Sequence, residues 1–364
     1  MITTFHSYPD CASLLTAIND RYRINATKLY LYRDMIGSVY FLESGRRKYV
    51  FKLFRREATD QALQSLEIIS YLRGFDYPVV PIVPLADSDG SGALGASGDS
   101  GKSRASRESK SGESGAHGLG ALYMMLEMPE GQRAGVLYEF VEGSVPDFTT
   151  ATTGAATTAA GAGASDITAV GRQIGRMHNL MSDYPRPLIK RGKGFYIDRY
   201  IKLMQEFGYS ATKTSALAAY GDRLWRSMEQ LPAGFCHGDL HSGNMIKTGN
   251  DRFILFDFDV ASHAYPVIDA ATLSDKTNFN RLDDSAYDNT RRMFERFYQG
   301  YSRERTLSDR EIAAIFDFIA IRHYELNATI TEYRLPLRGT SWMSDAVFDE
   351  QYEWLMRWRE MCGS

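Results

Sequence analysis

Residues 237–259 read His-Gly-Asp-Leu-His-Ser-Gly-Asn-Met-Ile-Lys-Thr-Gly-Asn-Asp-Arg-Phe-Ile-Leu-Phe-Asp-Phe-Asp. The stretch Thr248-Gly-Asn-Asp251 is a strong turn signal between two β-rich segments, which predicts a β-hairpin centred near Asn250. Asn244 and Asp257 lie six and seven residues from Asn250, so the hairpin brings their side chains together at its open end. An amide oxygen and a carboxylate are hard oxygen ligands, which suit Mg²⁺ held jointly with nucleotide phosphates.

Asp239 precedes Asn244 by five residues, on the loop that enters the same hairpin. A carboxylate beside a magnesium–nucleotide site can orient an acceptor hydroxyl and take its proton, and phosphoryl transfer needs these parts. The spacing Asp-x₄-Asn, followed by an Asp on a strand, matches the catalytic loop and metal site of kinases. Gly238 stands where protein kinases have Arg. The motif therefore predicts phosphoryl transfer.

The whole motif resembles the aminoglycoside phosphotransferase and choline kinase-like enzymes, whose hallmark is His-Gly-Asp-x-His-x-Gly-Asn before a hydrophobic strand that ends in Asp. The resemblance implies that Asp239 is the catalytic base and that Asn244 and Asp257 bind Mg²⁺, with ATP as the co-substrate. It also implies that His237 is a scaffold residue and that Asp269, in Val-Ile-Asp-Ala-Ala, braces the catalytic loop.

The fold expected from this resemblance and from the sequence pattern is a bilobal protein-kinase-like fold of the α+β class. We expect an antiparallel β N-lobe with one helix over residues 1–141 and a mainly helical C-lobe over residues 142–364. Residues 87–120 contain nine Gly, nine Ser and no aromatic residue, which predicts a disordered insertion in the N-lobe. Residues 149–165 contain only Thr, Ala, Gly and Ser, and we expect a loop there, with Asp166 capping the helix that follows.

Five residues around the N-lobe are candidates for nucleotide binding. Lys52 lies on a predicted strand, where the family has its phosphate-binding lysine, and Glu67 on the next helix can reach it as an ion-pair partner. Backbone groups near Glu139 and Val141 correspond to the hinge that would bind adenine. The chain lacks a full glycine-rich loop of the kind that covers the nucleotide phosphates in protein kinases. Gly37-Ser38 is the only candidate for this role, and Ser38 is the residue that we expect to contact the phosphates.

Composition excludes several other classes of protein. A net charge of −3 gives no reason to expect nucleic acid or a membrane surface as partner. The three cysteines are too few and too scattered for a disulfide framework, which favours a reducing cytoplasm. No run approaches the ~18 apolar residues that a membrane helix needs. The sequence contains no signal for the oligomeric state.

The phosphate acceptor is left open between two classes. The first is a hydroxyl of a small molecule such as an amino alcohol, a sugar, an amino acid or an aminoglycoside. Its pocket would be built from the C-terminal helices, with Arg322, Glu325, Glu332, Tyr333 and Trp342 as candidates without assigned roles. The second class is a protein Ser or Thr residue, for which the serines of the insertion (Ser103, Ser106 and Ser109) are available acceptors.

A distant alternative to phosphoryl transfer is a metal-dependent hydrolase. His237, Asp239 and His241 occupy alternate positions, and two imidazoles with a carboxylate can converge on a metal ion. The hydrolase hypothesis gives no role to Asn244, Asp257 or the β-rich lobe.

Overall fold

The computed structural model describes residues 6–86, 119–148, 158–249, 251–339 and 343–363. The chain divides into two compact units, Met1–Glu67 with Pro81–Phe140, and Ile68–Val80 with Val141–Ser364. The predicted disordered insertion falls almost wholly outside the described residues. Only its last two residues are described, as part of a short 3₁₀ turn at Leu119–Ala121.

The first unit is built around a five-stranded antiparallel sheet in the order β1-β2-β3-β5-β4. Its strands are β1 (Lys28–Asp34), β2 (Gly37–Ser44), β3 (Arg47–Phe54), β4 (Met124–Met128) and β5 (Gly131–Glu139). In β3, Tyr49, Phe51 and Leu53 are buried, while Val50 and Lys52 between them are only partly buried. This alternation follows from the two-residue repeat of a strand, and it puts Lys52 on the face opposite the core.

The first unit contains a helix that the sequence analysis did not predict. The predicted helix is present as α2 (Thr59–Arg73), but α1 (Cys11–Tyr22) precedes the sheet. The side chain of Asp10 caps α1 by accepting a hydrogen bond from the Ser13 amide. Leu14, Ile18 and Tyr22 recur every four residues on one face of α1 and pack into the core of the sheet. A helix of 12 residues with only three buried apolar side chains gives a weak helical pattern in the sequence, and the β patterns that follow it are stronger.

The second unit is mainly helical and contains two short antiparallel hairpin-like sheets, β6-β9 and β7-β8. Its helices are α3 (Thr158–Ser182), α4 (Arg199–Glu206), α5 (Ala211–Met228), α6 (Val267–Ser274), α7 (Ala286–Tyr301), α8 (Asp309–Arg338) and α9 (Asp345–Met361). Its strands are β6 (Gly234–Cys236), β7 (Met245–Gly249), β8 (Arg252–Leu255) and β9 (Ser262–Ala264). The predicted α+β class is confirmed. No helix in the described part of the chain combines the length and the apolar character needed to cross a bilayer.

The start of α3 differs from the sequence prediction. The helix begins at Thr158, so the last eight residues of the predicted 149–165 loop are helical, and residues 149–157 lie outside the described part. The segment 158–165 is rich in Ala, the residue with the highest helix propensity, and has no Pro to stop a helix. Asp166 is therefore not an N-cap. Its carboxylate lies inside α3 and binds Nζ of Lys247 at 2.6 and 2.8 Å.

Helices α3 and α7 approach each other very closely through two glycines. A Cβ atom on Gly171 would lie 2.1 Å from the carbonyl oxygen of Phe297, and one on Gly300 would lie 1.7 Å from that of Thr168. Only glycine allows two helix backbones to come this near. The close packing brings His178 of α3 within hydrogen-bond distance of Tyr301 of α7.

Candidate active site

The 237–244 loop of the second unit connects β6 to the β7-β8 hairpin, and a buried carboxylate holds its beginning. Asp269, at the start of α6, accepts hydrogen bonds from the backbone amides of His237 at 2.8 Å and Gly238 at 2.9 Å. Nε2 of His178 lies 3.0 Å from the same carboxylate, and Nδ1 of His178 lies 2.8 Å from the Tyr301 hydroxyl. A fully buried carboxylate needs several such hydrogen-bond partners because burial removes it from water. This network holds the loop that carries Asp239.

Gly238 has a backbone conformation that only glycine adopts easily at this position. Its φ is +82° and a Cβ atom would lie 2.7 Å from the carbonyl oxygen of Val260. The sharp turn allows the Gly238 amide to face Asp269 while the next residue, Asp239, leaves in another direction. The positive φ and the close approach of Val260 both favour glycine at this position.

Asp239 lies at the centre of a polar cluster. Its Oδ1 accepts a hydrogen bond of 2.5 Å from Nη2 of Arg322, a residue of α8. Its Oδ2 accepts one of 3.1 Å from Nδ2 of Asn244, and Nε2 of His241 lies 3.6 Å from the same oxygen. Nδ1 of His241 accepts the Gly243 amide, so the proton of a neutral His241 is on the nitrogen that faces Asp239. About one third of the Asp239 side chain remains exposed.

The same cluster determines the ionisation of Asp239. Burial acts to raise the pKa of Asp239, but the nearby His241 imidazole and the positive charge of Arg322 outweigh it and hold the pKa well below its usual range. Burial also acts to lower the pKa of Arg322, and the neighbouring carboxylates of Asp239 and Glu325 raise it instead. Asp239 is therefore a carboxylate at neutral pH.

The predicted hairpin is present, with Met245 paired to Leu255 and Lys247 to Phe253. The amide of Phe256 donates to the carbonyl oxygen of Asn244 at 3.1 Å, so Asn244 and Asp257 lie at the open end as the register arithmetic predicts. Nδ2 of Asn244 also donates to the Asp239 carbonyl oxygen at 2.8 Å. These bonds direct the amide nitrogen toward Asp239 and leave the amide oxygen as the atom suited to a cation.

Asp257 adopts the left-handed conformation, with φ 65° and ψ 57°. Asp tolerates this region better than most residues, but it remains strained and is often found at functional sites. The residue lies two positions after the end of β8 and immediately before a short 3₁₀ turn, Phe258–Val260. An oxygen from Asn244 and a carboxylate from Asp257 form a donor set that fits Mg²⁺.

Neighbouring segments of the second unit form backbone hydrogen bonds with both strands of the hairpin. The backbone of Lys247 exchanges two hydrogen bonds with Ser144, and that of Leu255 bonds Pro78 and Val80. The side chain of Gln173 in α3 donates to the Phe253 carbonyl oxygen at 2.7 Å. The Gln173 hydrogen bond and the Asp166–Lys247 ion pair attach the hairpin to α3. The sequence analysis did not predict this ion pair because its partners are 81 residues apart.

The nucleotide-binding candidates Lys52, Glu67, Ser38 and Glu139 belong to the first unit, and Val141 begins a segment of the second. Nζ of Lys52 lies 4.9 Å from the ring centre of Phe54. Ser38 is buried, and its hydroxyl donates to Asp34 at 2.9 Å and accepts from Arg133 at 3.4 Å. The Ser38 hydroxyl is therefore already bonded within the first unit. The amide of Glu139 donates to the Pro81 carbonyl oxygen. The ion pair between Lys52 and Glu67 and the binding of adenine by the backbone near Glu139 and Val141 remain predictions.

The structure gives three of the unassigned acceptor candidates, Arg322, Glu325 and Glu332, clear contacts. Arg322 binds Asp239, and Nη1 of Arg322 also lies 3.3 Å from the Gly238 carbonyl oxygen. Arg199 of α4 binds Glu332 at 2.8 Å and lies 3.5 Å from Glu325, so these acids are paired. Trp342 lies outside the described residues.

The three residues of the hydrolase alternative do not form one cluster. Nε2 of His237 is bonded to the Phe256 carbonyl oxygen at 3.1 Å, whereas His241 contacts Asp239. Among the residues that the structure describes, no group of three or more His, Cys, Asp and Glu side chains is arranged to hold a metal ion.

A sequence model described as the phosphotransferase enzyme family (APH) matches residues 33–307, well over half of the chain. An uncharacterized protein of Deinococcus radiodurans is 26% identical over 253 residues, which cover 67% of this chain and 68% of that protein.

Solved structures of kinases share the fold. Amicoumacin kinase hAmiN, in complex with AMP-PNP, Ca²⁺ and Ami, aligns with a TM-score of 0.65 and 20% identity over 97% of this chain and 93% of its own. A microcompartment-associated aminopropanol kinase aligns with a TM-score of 0.64 and 18% identity over 96% and 95%. Choline kinase LicA from Streptococcus pneumoniae aligns with a TM-score of 0.56 and 13% identity over 97% and 99%.

Proposed function

Because this chain belongs to the phosphotransferase enzyme family, we propose that it transfers the γ-phosphoryl group of MgATP to a hydroxyl group of a small molecule. The observation that carries the proposal is the convergence of Asp239, Asn244 and the end of the hairpin that bears Asp257. A carboxylate, an amide oxygen and a second carboxylate at one loop are the parts that phosphoryl transfer needs. A cytoplasmic location, where ATP is abundant and the free thiols of Cys11, Cys236 and Cys362 stay reduced, agrees with this role.

Asn244 and Asp257 would hold the metal ion, which when bound neutralises charge on the nucleotide phosphates. Asn244 has a second role, because its amide nitrogen bonds both the backbone and the carboxylate of Asp239. One residue thus links the position of the metal site to that of the acceptor site. Asp269 and His237 would keep the loop in place from the buried side.

Asp239 would orient the acceptor hydroxyl. A carboxylate with a lowered pKa is a weak base, so it does not withdraw the proton from a resting alcohol. In a loose transition state the attacking oxygen becomes acidic only as its bond to phosphorus forms, and a positioned carboxylate can take the proton at that stage. Alignment of the hydroxyl is then the main contribution of Asp239.

Lys52 would bind the nucleotide phosphates, with Glu67 as its partner and the backbone near Glu139 and Val141 at the adenine. Support for these roles comes from the position of Lys52 on β3 and from family membership. Ser38 would contribute to the phosphate site from its place beside Gly37 on β2, while its buried hydroxyl stays bonded to Asp34.

The charges near Asp239 favour an acceptor with at most one positive charge. A polycationic aminoglycoside would need a dense acidic surface. Arg322 neutralises Asp239, and Arg199 pairs with Glu325 and Glu332. We therefore place amino alcohols, sugars and amino acids ahead of aminoglycosides. The serines that would favour a protein acceptor lie outside the described residues.

The test is incubation of the purified chain with γ-labelled ATP, Mg²⁺ and a panel of amino alcohols, hexoses, hydroxy amino acids, aminoglycosides and myelin basic protein. We expect transfer to one small-molecule class, abolished by chelation of the metal. Asp283→Asn is a matched control, because Asp283 is an exposed carboxylate on the surface of the second unit. Hydrolysis of a substrate without nucleotide would refute the proposal, and transfer to the protein alone would favour the protein-kinase alternative.

A further inference from the structure

The turn between β1 and β2 carries Gly37-Ser38, the candidate for phosphate cover, and the tip of this turn is exposed. Met35 and Ile36 at the tip are 38% and 48% exposed, so burial in a core does not determine where the tip lies. A loop that contacts a ligand needs support from neighbouring groups to keep its geometry. The contacts at the base of the turn therefore decide its position.

One carboxylate joins the base of the turn to residues 6–8, which precede α1 and are called the 6–8 segment below. Oδ1 of Asp34 accepts a hydrogen bond from the Ser38 hydroxyl at 2.9 Å and lies 3.1 Å from Nε2 of His6. Oδ2 of Asp34 accepts a hydrogen bond from the Tyr8 hydroxyl at 2.7 Å. The side chains of Asp34 and His6 are only 9% and 3% exposed, so water competes little for the contact between them.

A second set of contacts holds the backbone of the 6–8 segment. Glu130, in the connection between β4 and β5, accepts hydrogen bonds from the amide of Ser7 at 3.2 Å and from its hydroxyl at 2.5 Å. Nη1 of Arg133 donates to the carbonyl oxygen of Ser7 at 3.0 Å and lies 3.3 Å from the Glu130 carboxylate. Both polar groups of the Ser7 backbone thus have partners in the first unit, which gives the segment a defined path beside the sheet.

The same arginine connects the 6–8 segment to the strand of Lys52. Arg133 is fully buried, and its Nε and Nη2 donate to the carbonyl oxygens of Phe54 at 2.8 Å and Leu53 at 3.3 Å. These two residues directly follow Lys52 on β3 and pair with the first two residues of β2. The segment is therefore linked to both elements of the sheet that carry candidates for phosphate binding, the β1-β2 turn and the end of β3.

We propose that the 6–8 segment positions the β1-β2 turn for nucleotide binding, with His6 and Tyr8 acting through the carboxylate of Asp34. The support of the turn does not depend on the proposed kinase function, whereas the effect on nucleotide affinity rests on it. Because Gly37-Ser38 is a candidate for contact with the phosphates and not with adenine, the segment would affect the phosphate end of the nucleotide in particular.

Hydrogen exchange of the unliganded full chain tests the support of the turn. In a peptide that spans residues 30–42, His6→Ala should speed exchange of the turn amides by about tenfold and Tyr8→Phe by about threefold, the range expected for loss of one hydrogen bond. Thr16→Ala is the matched control. It also removes a hydroxyl group from the first unit, but Thr16 is exposed and its hydroxyl bonds the Ala12 carbonyl oxygen of its own helix.

Titration of the same proteins with MgAMP-PNP and, separately, with adenosine tests the effect on the nucleotide. We expect His6→Ala to weaken the affinity for MgAMP-PNP about tenfold and Tyr8→Phe about threefold. The affinity for adenosine should stay at the wild-type value, because adenosine has no phosphate for the turn to cover. Thr16→Ala should bind both ligands as the wild type does.

Unchanged exchange of the turn in both His6→Ala and Tyr8→Phe would overturn the proposal. Equal weakening of MgAMP-PNP and adenosine would also overturn it, since a merely structural role affects both ligands alike. Failure of the wild-type chain to bind MgAMP-PNP would count against the proposed kinase function, while faster exchange in His6→Ala would still confirm that the 6–8 segment holds the turn.

Discussion

Nη2 of Arg322 lies 2.5 Å from Oδ1 of Asp239, although the two residues are 83 positions apart in the sequence. The guanidinium group thus occupies one oxygen of the carboxylate that is proposed to orient the acceptor hydroxyl. Asn244 and His241 contact the other oxygen. An acceptor must therefore share Asp239 with these groups or displace one of them.

Replacement of Arg322 should change the pH dependence of catalysis. Arg322 stabilises the ionised form of Asp239, so Arg322→Gln should raise the pKa of Asp239 and move the acid limb of kcat/KM to higher pH. Arg322→Lys retains the charge and should keep the limb near its wild-type position while lowering kcat, because it cannot bond Gly238 and Asp239 together. A profile of kcat/KM against pH for the three proteins checks this. An unmoved acid limb in Arg322→Gln would contradict it.

Loss of the Asp239 carboxylate should remove most of the activity without unfolding the protein. Asp239→Asn keeps the size of the side chain but cannot accept the hydroxyl proton, and we expect kcat to fall by about 10²- to 10⁴-fold. Circular dichroism should stay unchanged, and nucleotide affinity should change little. Wild-type turnover in Asp239→Asn would exclude Asp239 from the chemistry, whereas Asp283→Asn should leave kcat unaffected.

Substitution of Asp257 should change the Mg²⁺ dependence of nucleotide binding and of phosphoryl transfer. Asp257→Ala removes a proposed Mg²⁺ ligand, so phosphoryl transfer should be lost and the Mg²⁺ concentration needed for nucleotide binding should rise. Asp257→Asn keeps one oxygen ligand, and high Mg²⁺ should restore part of its activity. Titration of nucleotide binding against Mg²⁺ measures the effect. The metal assignment fails if both variants show the wild-type Mg²⁺ dependence.

The Asp166–Lys247 ion pair should stabilise the second unit. The pair is mostly buried, and Asp166→Ala would leave Lys247 without its partner, at a cost of about 2 kcal/mol in the free energy of unfolding. The double variant Asp166→Ala/Lys247→Met removes both charges and should recover part of that loss. Urea unfolding of both variants tests the prediction. A double variant less stable than Asp166→Ala would contradict it.

Gly238→Ala should distort the loop. The new Cβ atom would meet the carbonyl oxygen of Val260, and φ would remain at a value that disfavours alanine, so we expect a loss of about 1–3 kcal/mol in stability together with reduced kcat. Gly192→Ala is a suitable control, because a Cβ atom there meets nothing within 4 Å. Equal melting temperatures for the two variants would show that the loop tolerates alanine.

Much of the fold was predictable because its signals are local. The turn at residues 248–251 and the apolar residues beside it specify the β7-β8 hairpin and its register, and this register places Asn244 beside the end of β8. The capping box at Ser308 and Glu311 likewise marks the start of α8. The sequence analysis did not predict helix α1, because three apolar residues at four-residue spacing are too few to indicate a helix. It also placed the start of α3 too late, because an Ala-, Gly- and Thr-rich segment is compatible with either a loop or a helix.

The partners of the site residues were not predictable in the same way. Arg322 meets Asp239, His178 meets Asp269 and Asp166 meets Lys247 only after α8, α3 and the hairpin have packed, across separations of 83, 91 and 81 residues. Local turn chemistry and hydrophobic periodicity contain no information about such pairs. The motif thus predicted a phosphotransferase from local sequence alone, while the charge around Asp239, on which the proposed class of acceptor rests, depends on how distant helices pack around the loop.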